Sequence, residues 1–230
     1  MSESFIFNIY KPVGISSFQV IRQLRSLTGI RKIGHAGTLD PLAEGVLVVG
    51  VTREGTRQLS ALLLCDKEYR AEIKLGANTT TGDREGKERI VVVSKVPSKK
   101  DVQEVLKQFV GEIWQKPHLY SAIKIKGQPA YRRIRAGQTL EIKPKKVSIH
   151  SIRLLSYQYP LIEIKASVSS GVYIRSLAVD LGKQLKTGAY VTKLVRTRVG
   201  KYSLSQSKMV EAVAKLVLQR NQLGKTENGA

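Results

Sequence analysis

The sequence predicts an α+β fold with a mixed, mostly antiparallel central sheet flanked by helices. Strand-like segments cluster along the chain without the regular strand–helix alternation that is typical of a doubly wound fold. Hydrophobic residues make up 42% of the 230 residues, which is enough for a sizeable core. The length suits one large domain, and we expect a single domain over residues 1–222 with a polar, flexible tail at 223–230.

Each strand and helix is predicted from a local pattern. A continuous apolar run at 46–51 indicates a fully buried strand, and alternating apolar residues indicate strands at 69–75 and 162–168. Ser98 can cap a helix with its hydroxyl, and Asp101 then lies in the first turn, where a negative charge is favoured. The helices predicted in this way lie at 54–64, 98–109, 176–185 and 208–219.

The composition points to a polyanionic partner. The chain has 39 basic and 18 acidic residues, a formal net charge of +21, which favours nucleic acid first and an anionic membrane surface second. One cysteine and three histidines cannot build a four-ligand zinc site of any usual spacing, and one cysteine allows no intrachain disulfide. The apolar runs are too short for a membrane span. We therefore expect a cytoplasmic protein that binds RNA or DNA and does not enter a membrane.

The positive charge is concentrated in the second half of the chain. Residues 113–230 hold 22 of the 39 basic residues and 5 of the 18 acidic ones, and the densest stretch is 124–146. Basic residues interleaved with tyrosines suit a phosphate backbone and unstacked bases, whereas a solvated helix face is the alternative. The candidate RNA-binding residues of this stretch and its border are Tyr120, Lys124, Tyr131, Arg132 and Arg135.

The segment GHAGTLDPLAEG at 34–45 is the strongest candidate for a reactive loop. Its glycines and proline are incompatible with a helix or strand interior, and it leads directly into the apolar run VLVVG. Asp40 is a candidate nucleophile or general base, although a turn aspartate that accepts backbone hydrogen bonds is the alternative. For His35 the residue pattern favours a hydrogen-bonded structural role over that of an acid or base. No serine or cysteine partner for a hydrolytic triad lies nearby in the sequence.

The loop GHAGTLDPLAEGVL resembles the active-site motif of the TruB-type tRNA pseudouridine synthases, which isomerise uridine-55 in the T loop of tRNA. Further segments resemble the same family in the same order. They are KPVGISS at 11–17, DKEYRAEIKLG at 66–76, TTTGDREG at 79–86, YSAIKIKGQPAYRRIRAG at 120–137, SSGVYIRSLAVDLG at 169–182 and LVRTRVGKY at 194–202. The resemblance implies a pseudouridine synthase fold with a basic thumb insertion at about 117–142.

The resemblance also implies roles for single residues. Asp40 matches the catalytic aspartate, Arg175 the arginine that pairs with it, and Tyr69 the tyrosine that packs against the target uracil. The thumb residues would hold the phosphates of the loop. Further matching positions are His35, which would occupy the space vacated by an extruded base, Leu194, which would line the pocket, and Lys11, for which we expect a structural role.

Three expectations about partners follow from the resemblance. The reaction breaks one glycosidic bond and forms another, so it needs no cofactor and no metal. The substrate is the T-arm of tRNA, reached by base flipping, and the protein is expected to act as a monomer without an obligatory protein partner. The family's C-terminal PUA domain is expected to be absent, which makes the chain a short form.

Other functions are considered beside this one. The protein could be an RNA chaperone that opens and refolds the tRNA elbow, or a pseudouridine synthase that acts on ribosomal RNA or depends on a guide RNA. A basic structural protein of the ribosomal type explains the charge, but not the ordered motifs. Whether the reaction passes through a covalent adduct or a glycal intermediate is left open by the sequence.

Overall fold

The computed structural model describes residues 5–116 and 143–226, with side chains as far as residue 220, and the backbone of two short strands between those ranges. The proposed thumb residues therefore lie outside the described residues, apart from the backbone of Lys124. Five α-helices lie in the described part: α1 (Ser17–Thr28), α2 (Thr52–Leu64), α3 (Lys99–Gln108), α4 (Ile174–Gln184) and α5 (Val210–Thr226).

The strands of the described residues range from two-residue ladders to one of 14 residues. They are β1 (Ile6–Lys11), β2 (Ile33–His35), β3 (Ala43–Val51), β4 (Lys67–Leu75), β5 (Ala77–Thr79), β6 (Glu88–Ile90), β7 (Gly111–Gln115), β8 (Lys124–Ile125), β9 (Gln128–Pro129), β10 (Lys145–Gln158), β11 (Leu161–Val168), β12 (Ala189–Val199) and β13 (Tyr202–Ser203).

The chain divides into two compact units, and the first comprises Met1–Lys67 and Val195–Ala230. Its central strand is β3, which pairs antiparallel with β1 and β2 and also neighbours the end of β12. Helices α1 and α5 pack together over one face of this sheet, with Leu24 and Val213 in their shared core. Helix α2 packs against the other face through Leu59. Because both faces are covered, β3 is buried along its apolar run, as the sequence predicts.

The second unit is Glu68–Leu194. Its strands follow the order β12, β4, β11, β10 and β7, and β10 pairs antiparallel with both β7 and β11. Side chains alternate along β4: Ala71, Ile73 and Leu75 are buried, whereas Glu72 and Lys74 between them are half-buried and form ion pairs. One face of β4 therefore belongs to the core and the other carries charge.

The predicted α+β class is confirmed, and each predicted helix and strand is present. Helix α3 begins at the capping box between Ser98 and Asp101 that its sequence indicates. Helix α5 continues to Thr226, beyond the helix end predicted at 219. Its residues Val210, Val213, Ala214 and Val217 pack in the same core as α1. The expectation of a polar tail at 223–230 stays a prediction. The expectation of a single domain over 1–222 stays a prediction.

Helix α4 begins two residues before its predicted start. Tyr173 at the N-cap has no side-chain capping bond of its own. Instead, the Gln115 side chain accepts a hydrogen bond from the Tyr173 N–H at 2.7 Å and donates one to the Tyr173 carbonyl at 3.1 Å. Gln115 of β7 therefore supplies the polar contacts of the N-cap backbone. Arg175 lies in the first turn of the helix.

None of the helices within the described residues is long and apolar enough to cross a membrane.

Candidate active site

Asp40 lies in the loop between β2 and β3, and its two neighbours in sequence are hydrogen-bonded to the first residue of α1 and to the segment just before that helix. The Ser17 hydroxyl accepts a hydrogen bond from the Leu39 N–H at 2.8 Å and donates one to the Leu39 carbonyl at 3.1 Å. On the other side, the Gly14 N–H donates to the Pro41 carbonyl at 2.8 Å. The backbone on either side of Asp40 is therefore held, while its own side chain is half-buried.

Lys11 positions the segment that makes these ties. Its side chain is fully buried, and its Nζ donates hydrogen bonds to the Pro12 carbonyl at 2.9 Å and the Ile15 carbonyl at 2.6 Å. A buried ammonium is tolerated only when its donors are satisfied, and here backbone oxygens accept them. This arrangement agrees with a structural role for Lys11.

Arg196 holds the two ends of the Asp40 loop, and sequence reasoning missed it. It is 1% exposed; its Nε donates to the Val46 carbonyl at 2.8 Å and its Nη2 to the Gly37 carbonyl at 3.1 Å. The β12 backbone also passes so close to Gly45, whose φ is +109°, that a Cβ there would lie 2.3 Å from the Arg196 carbonyl oxygen. Only glycine fits at this position. The only available signal was the arginine in LVRTRVGKY, which has no local mark of burial.

We expect Ser17→Ala to loosen the Asp40 loop. The change leaves the buried Leu39 N–H and carbonyl without their partner, which costs about 1–3 kcal/mol of unfolding free energy. The rate constant of the chemical step should fall as well, because Asp40 is no longer held on one side. Urea unfolding and single-turnover kinetics measure the two effects. Ser26→Ala, at an exposed serine of the same helix, is the control, and equal behaviour of the two variants would contradict the role of Ser17.

His35 ends β2 opposite Val49 and is half-buried. Burial lowers the pKa of the His35 imidazole below its ordinary value of 6.5, and the Arg196 cation lowers that pKa further. A hydrogen bond to the Gly37 backbone acts in the opposite direction. The folded protein therefore favours the neutral imidazole.

The lowered pKa of His35 makes stability depend on pH. As the pH falls through 6.5, His35 becomes protonated in the unfolded chain, whereas in the folded protein it stays neutral until a lower pH. The free energy of unfolding therefore decreases as the pH falls. We expect His35→Gln to remove this part of the loss. Urea unfolding at pH 7.5 and 5.5 measures it, with the exposed His150→Gln as the control. An unchanged pH dependence in His35→Gln would contradict the assignment.

In the second unit, Arg175 forms a buried ion pair with Asp83. The Arg175 Nη1 lies 2.9 Å from the Asp83 Oδ2 and also donates to the Thr81 carbonyl at 3.2 Å, and both charged side chains are almost fully buried. The other oxygen of Asp83 accepts hydrogen bonds from the Thr81 hydroxyl and from the Glu85 N–H. Asp83 therefore joins the turn at 79–86 to helix α4. Within TTTGDREG, no local pattern marks Asp83 as the partner of Arg175.

Tyr69 and Leu194 belong to neighbouring strands of the same unit, β4 and β12. Tyr69 is half-buried and lies on the face of β4 that carries the buried Ala71 and Ile73. Leu194 is buried. The structure thus groups the site residues in two sets: Asp40, His35 and Lys11 in the first unit, and Tyr69, Arg175 and Leu194 in the second. The pairing of Asp40 with Arg175 stays a prediction.

The comparisons with known proteins agree with these motifs. The family model "TruB family pseudouridylate synthase (N terminal domain)" matches residues 25–174, and "tRNA pseudouridylate synthase B C-terminal domain" matches residues 175–227. The protein named tRNA pseudouridine synthase B of Cutibacterium acnes is 40% identical over 207 residues, which cover 88% of this chain and 70% of that protein. The protein of the same name from Protochlamydia amoebophila is 45% identical over 202 residues, covering 86% of this chain and 75% of that protein.

Solved structures share the fold. The chain matches a structure titled as a Cbf5-Nop10-Gar1 complex with a TM-score of 0.72 and 27% identity, over 95% of this chain and 56% of that one. A structure titled as an H/ACA RNP bound to a substrate RNA containing 2'-deoxyuridine matches with a TM-score of 0.68 and 25% identity, over 95% and 55%. The chain spans about half the length of these solved chains. On the matches to the family models and to the two relatives, the chain belongs to the TruB family of pseudouridylate synthases.

Proposed function

We propose that the protein isomerises uridine-55 in the T loop of tRNA to pseudouridine, with Asp40 as the catalytic carboxylate. The observation that carries this proposal is the Asp40 loop, which is tied on both sides of the aspartate by Ser17 and Gly14. A carboxylate on a loop held in this way is suited to act at one defined atom of a sugar or base. Proteins named tRNA pseudouridine synthase B, 40% and 45% identical to the chain, support tRNA as the substrate.

The chemistry is compatible with this chain's own residues. The N1–C1′ bond of uridine breaks, the uracil turns, and C5 bonds to C1′; the proton leaves C5 and N1 gains one, so atoms and electrons balance without a donor or an oxidant. Asp40 either adds covalently to the substrate or abstracts a proton from the sugar to give a glycal. No cofactor enters either course, and a single carboxylate with a proton acceptor at C5 is sufficient.

The remaining residues bind and position the uridine. A uridine folded into the T loop is extruded before it reacts, at a cost of a few kcal/mol. The Tyr69 ring packs against the flipped uracil, Leu194 lines the pocket, and the neutral His35 fills the space that the base leaves. Arg175 pairs with the Asp40 carboxylate, and the thumb residues bind the phosphates of the loop.

A guide-dependent synthase is the second candidate, since the structures titled as an H/ACA RNP and as a Cbf5-Nop10-Gar1 complex share the fold. The identity to those chains is 25% and 27%, against 40% and 45% to the proteins named tRNA pseudouridine synthase B. The higher identity favours an enzyme that acts on tRNA. We propose in addition that the protein acts in the cytoplasm as a monomer, without an obligatory protein partner.

The test incubates the purified protein, without metal or cofactor, with an unmodified tRNA transcript and separately with its isolated T-arm stem-loop. Pseudouridine is then mapped at nucleotide resolution. We expect modification at position 55 in both RNAs. Modification elsewhere would contradict the choice of uridine. Salt-sensitive binding without any pseudouridine would support the RNA-chaperone function instead.

A further inference from the structure

The surface of helix α1 and the loop after it carries cations that form none of the ion pairs within 4.0 Å among the described residues. Between Ser4 and Leu39 the chain has five basic residues, Lys11, Arg22, Arg25, Arg31 and Lys32, and no aspartate or glutamate. We infer that the exposed face of α1 and the loop after it form a second RNA-binding surface, which contacts the phosphate backbone of the stem beside the target loop. This inference rests on the proposed function and deepens it.

The helix places an aromatic ring and two arginines on one stripe. Phe18, Arg22 and Arg25 are spaced four and three residues apart, so they lie on the same face of α1. The Phe18 side chain is 57% exposed, and the guanidinium carbons of Arg22 and Arg25 each lie 6.0 Å from the centre of its ring. Stacking on a ring holds a guanidinium in place. Arg22 is exposed and can offer its N–H donors to solvent, whereas Arg25 is half-buried and donates to the Ile33 carbonyl. Such donors bind phosphate oxygens in a fixed geometry.

The loop after α1 extends the same surface. The Arg25 Nη2 donates to the Ile33 carbonyl at 2.9 Å, which fixes the beginning of β2 beside the helix. Arg31 and Lys32 come immediately before Ile33 and are both exposed. The hydrogen bond from Arg25 to Ile33 therefore places the exposed Arg31 and Lys32 of the loop beside helix α1.

The charges of this surface differ from the exposed charges of the second unit. There, basic side chains on β4 and β12 that are exposed or half-buried are paired, as in Arg70–Glu163, Lys74–Glu88 and Lys193–Glu72. Among the described residues, Arg22, Arg31 and Lys32 have no acidic partner within 4.0 Å. Neighbouring cations without acidic partners repel one another, and a bound polyanion relieves that repulsion. The charge of this surface is therefore complementary to an RNA backbone.

The position of α1 connects this surface to the reactive loop. Phe18 follows Ser17, whose hydroxyl holds Leu39 next to Asp40. An RNA stem bound on α1 is therefore placed by the same helix that positions the aspartate. The contact with phosphates fixes the orientation of the substrate without reading its sequence.

The experiment compares the double variant Arg22→Gln/Arg31→Gln with Lys99→Gln/Lys100→Gln. The control removes the same charge from two exposed lysines of α3. Binding of an unmodified T-arm stem-loop is measured between 50 and 300 mM KCl, together with the single-turnover rate at saturating RNA. Thermal unfolding of each variant verifies its fold.

We expect the α1 variant to bind about tenfold more weakly at 100 mM KCl and its salt slope to fall by about 2, because each lost phosphate contact lowers that slope by roughly 1. The rate at saturation should remain that of the wild type. Equal binding and equal salt slopes in the two variants would overturn the inference, as would a loss confined to the rate at saturation. If the wild type binds the stem-loop but forms no pseudouridine, the proposed function is contradicted. The comparison of binding between the two double variants would still test the α1 surface.

Discussion

Asp40→Asn is expected to abolish pseudouridine formation while RNA affinity stays within about twofold of the wild type. The amide keeps the size and most hydrogen bonds of the carboxylate, but it is neither a nucleophile nor a base at neutral pH. Loss of an acid–base group alone lowers rates by about 10²–10⁴-fold, and loss of a required nucleophile lowers them further. Single-turnover kinetics on the T-arm stem-loop measure the rate, and filter binding measures the affinity.

The control is Asp66→Asn, which removes the same charge from an exposed position of the same unit. It should leave both the rate and the affinity unchanged. If Asp40→Asn still forms pseudouridine at a rate near that of the wild type, the assignment of Asp40 is wrong. If it loses RNA binding together with the rate, Asp40 acts in holding the loop and not in the chemistry.

Breaking the Asp83–Arg175 pair is expected to have the second largest effect. Both side chains are buried, at 2% and 6% exposure, so Asp83→Ala or Arg175→Met leaves one buried charge without its ion-pair partner. Such a loss costs about 3–5 kcal/mol of unfolding free energy. For a chain of this size that corresponds to a decrease in Tm of about 6–20 °C. Pseudouridine formation should fall at least about 100-fold in each variant, because Arg175 is no longer both charged and held.

The double variant Asp83→Leu/Arg175→Met separates stability from activity. Two apolar side chains can replace a buried ion pair with little loss of stability, but Asp83→Leu also removes the acceptor of the Thr81 hydroxyl and the Glu85 N–H, so only part of the lost Tm should return. Activity should not return, because the arginine itself is missing. An active double variant would show that the pair is only a structural element, and single variants that unfold like the wild type would show that the pair contributes nothing to the fold.

Local sequence patterns predicted those strands and helices that are stabilised by residues adjacent in sequence. The apolar run of β3 and the capping box of α3 involve residues that are adjacent in sequence, and both appear as predicted. Helix α1 was not predicted, although it has a capping box between Ser16 and Gln19 and ends at Gly29 in the left-handed conformation. Its pattern was read only as part of the family motif.

The early start of α4 had no local signal. The polar contacts at its N-terminus come from Gln115, 58 residues earlier in the chain. A prediction based on adjacent residues cannot include a contact this distant in sequence. It therefore places the helix start at the first residues with clear helical spacing.

By itself the sequence determined the α+β class, the loop that carries Asp40 and the family to which the motifs belong. Each of these depends on residue types at short, fixed spacings. Such spacings are a property of the sequence and do not depend on tertiary contacts. Only the tertiary structure decided that Arg196 holds Gly37 and Val46 and that Asp83 pairs with Arg175. These partners are 92 to 159 residues apart. A buried cation finds its acceptors only when the chain has folded, because burial itself makes an unpaired charge too costly.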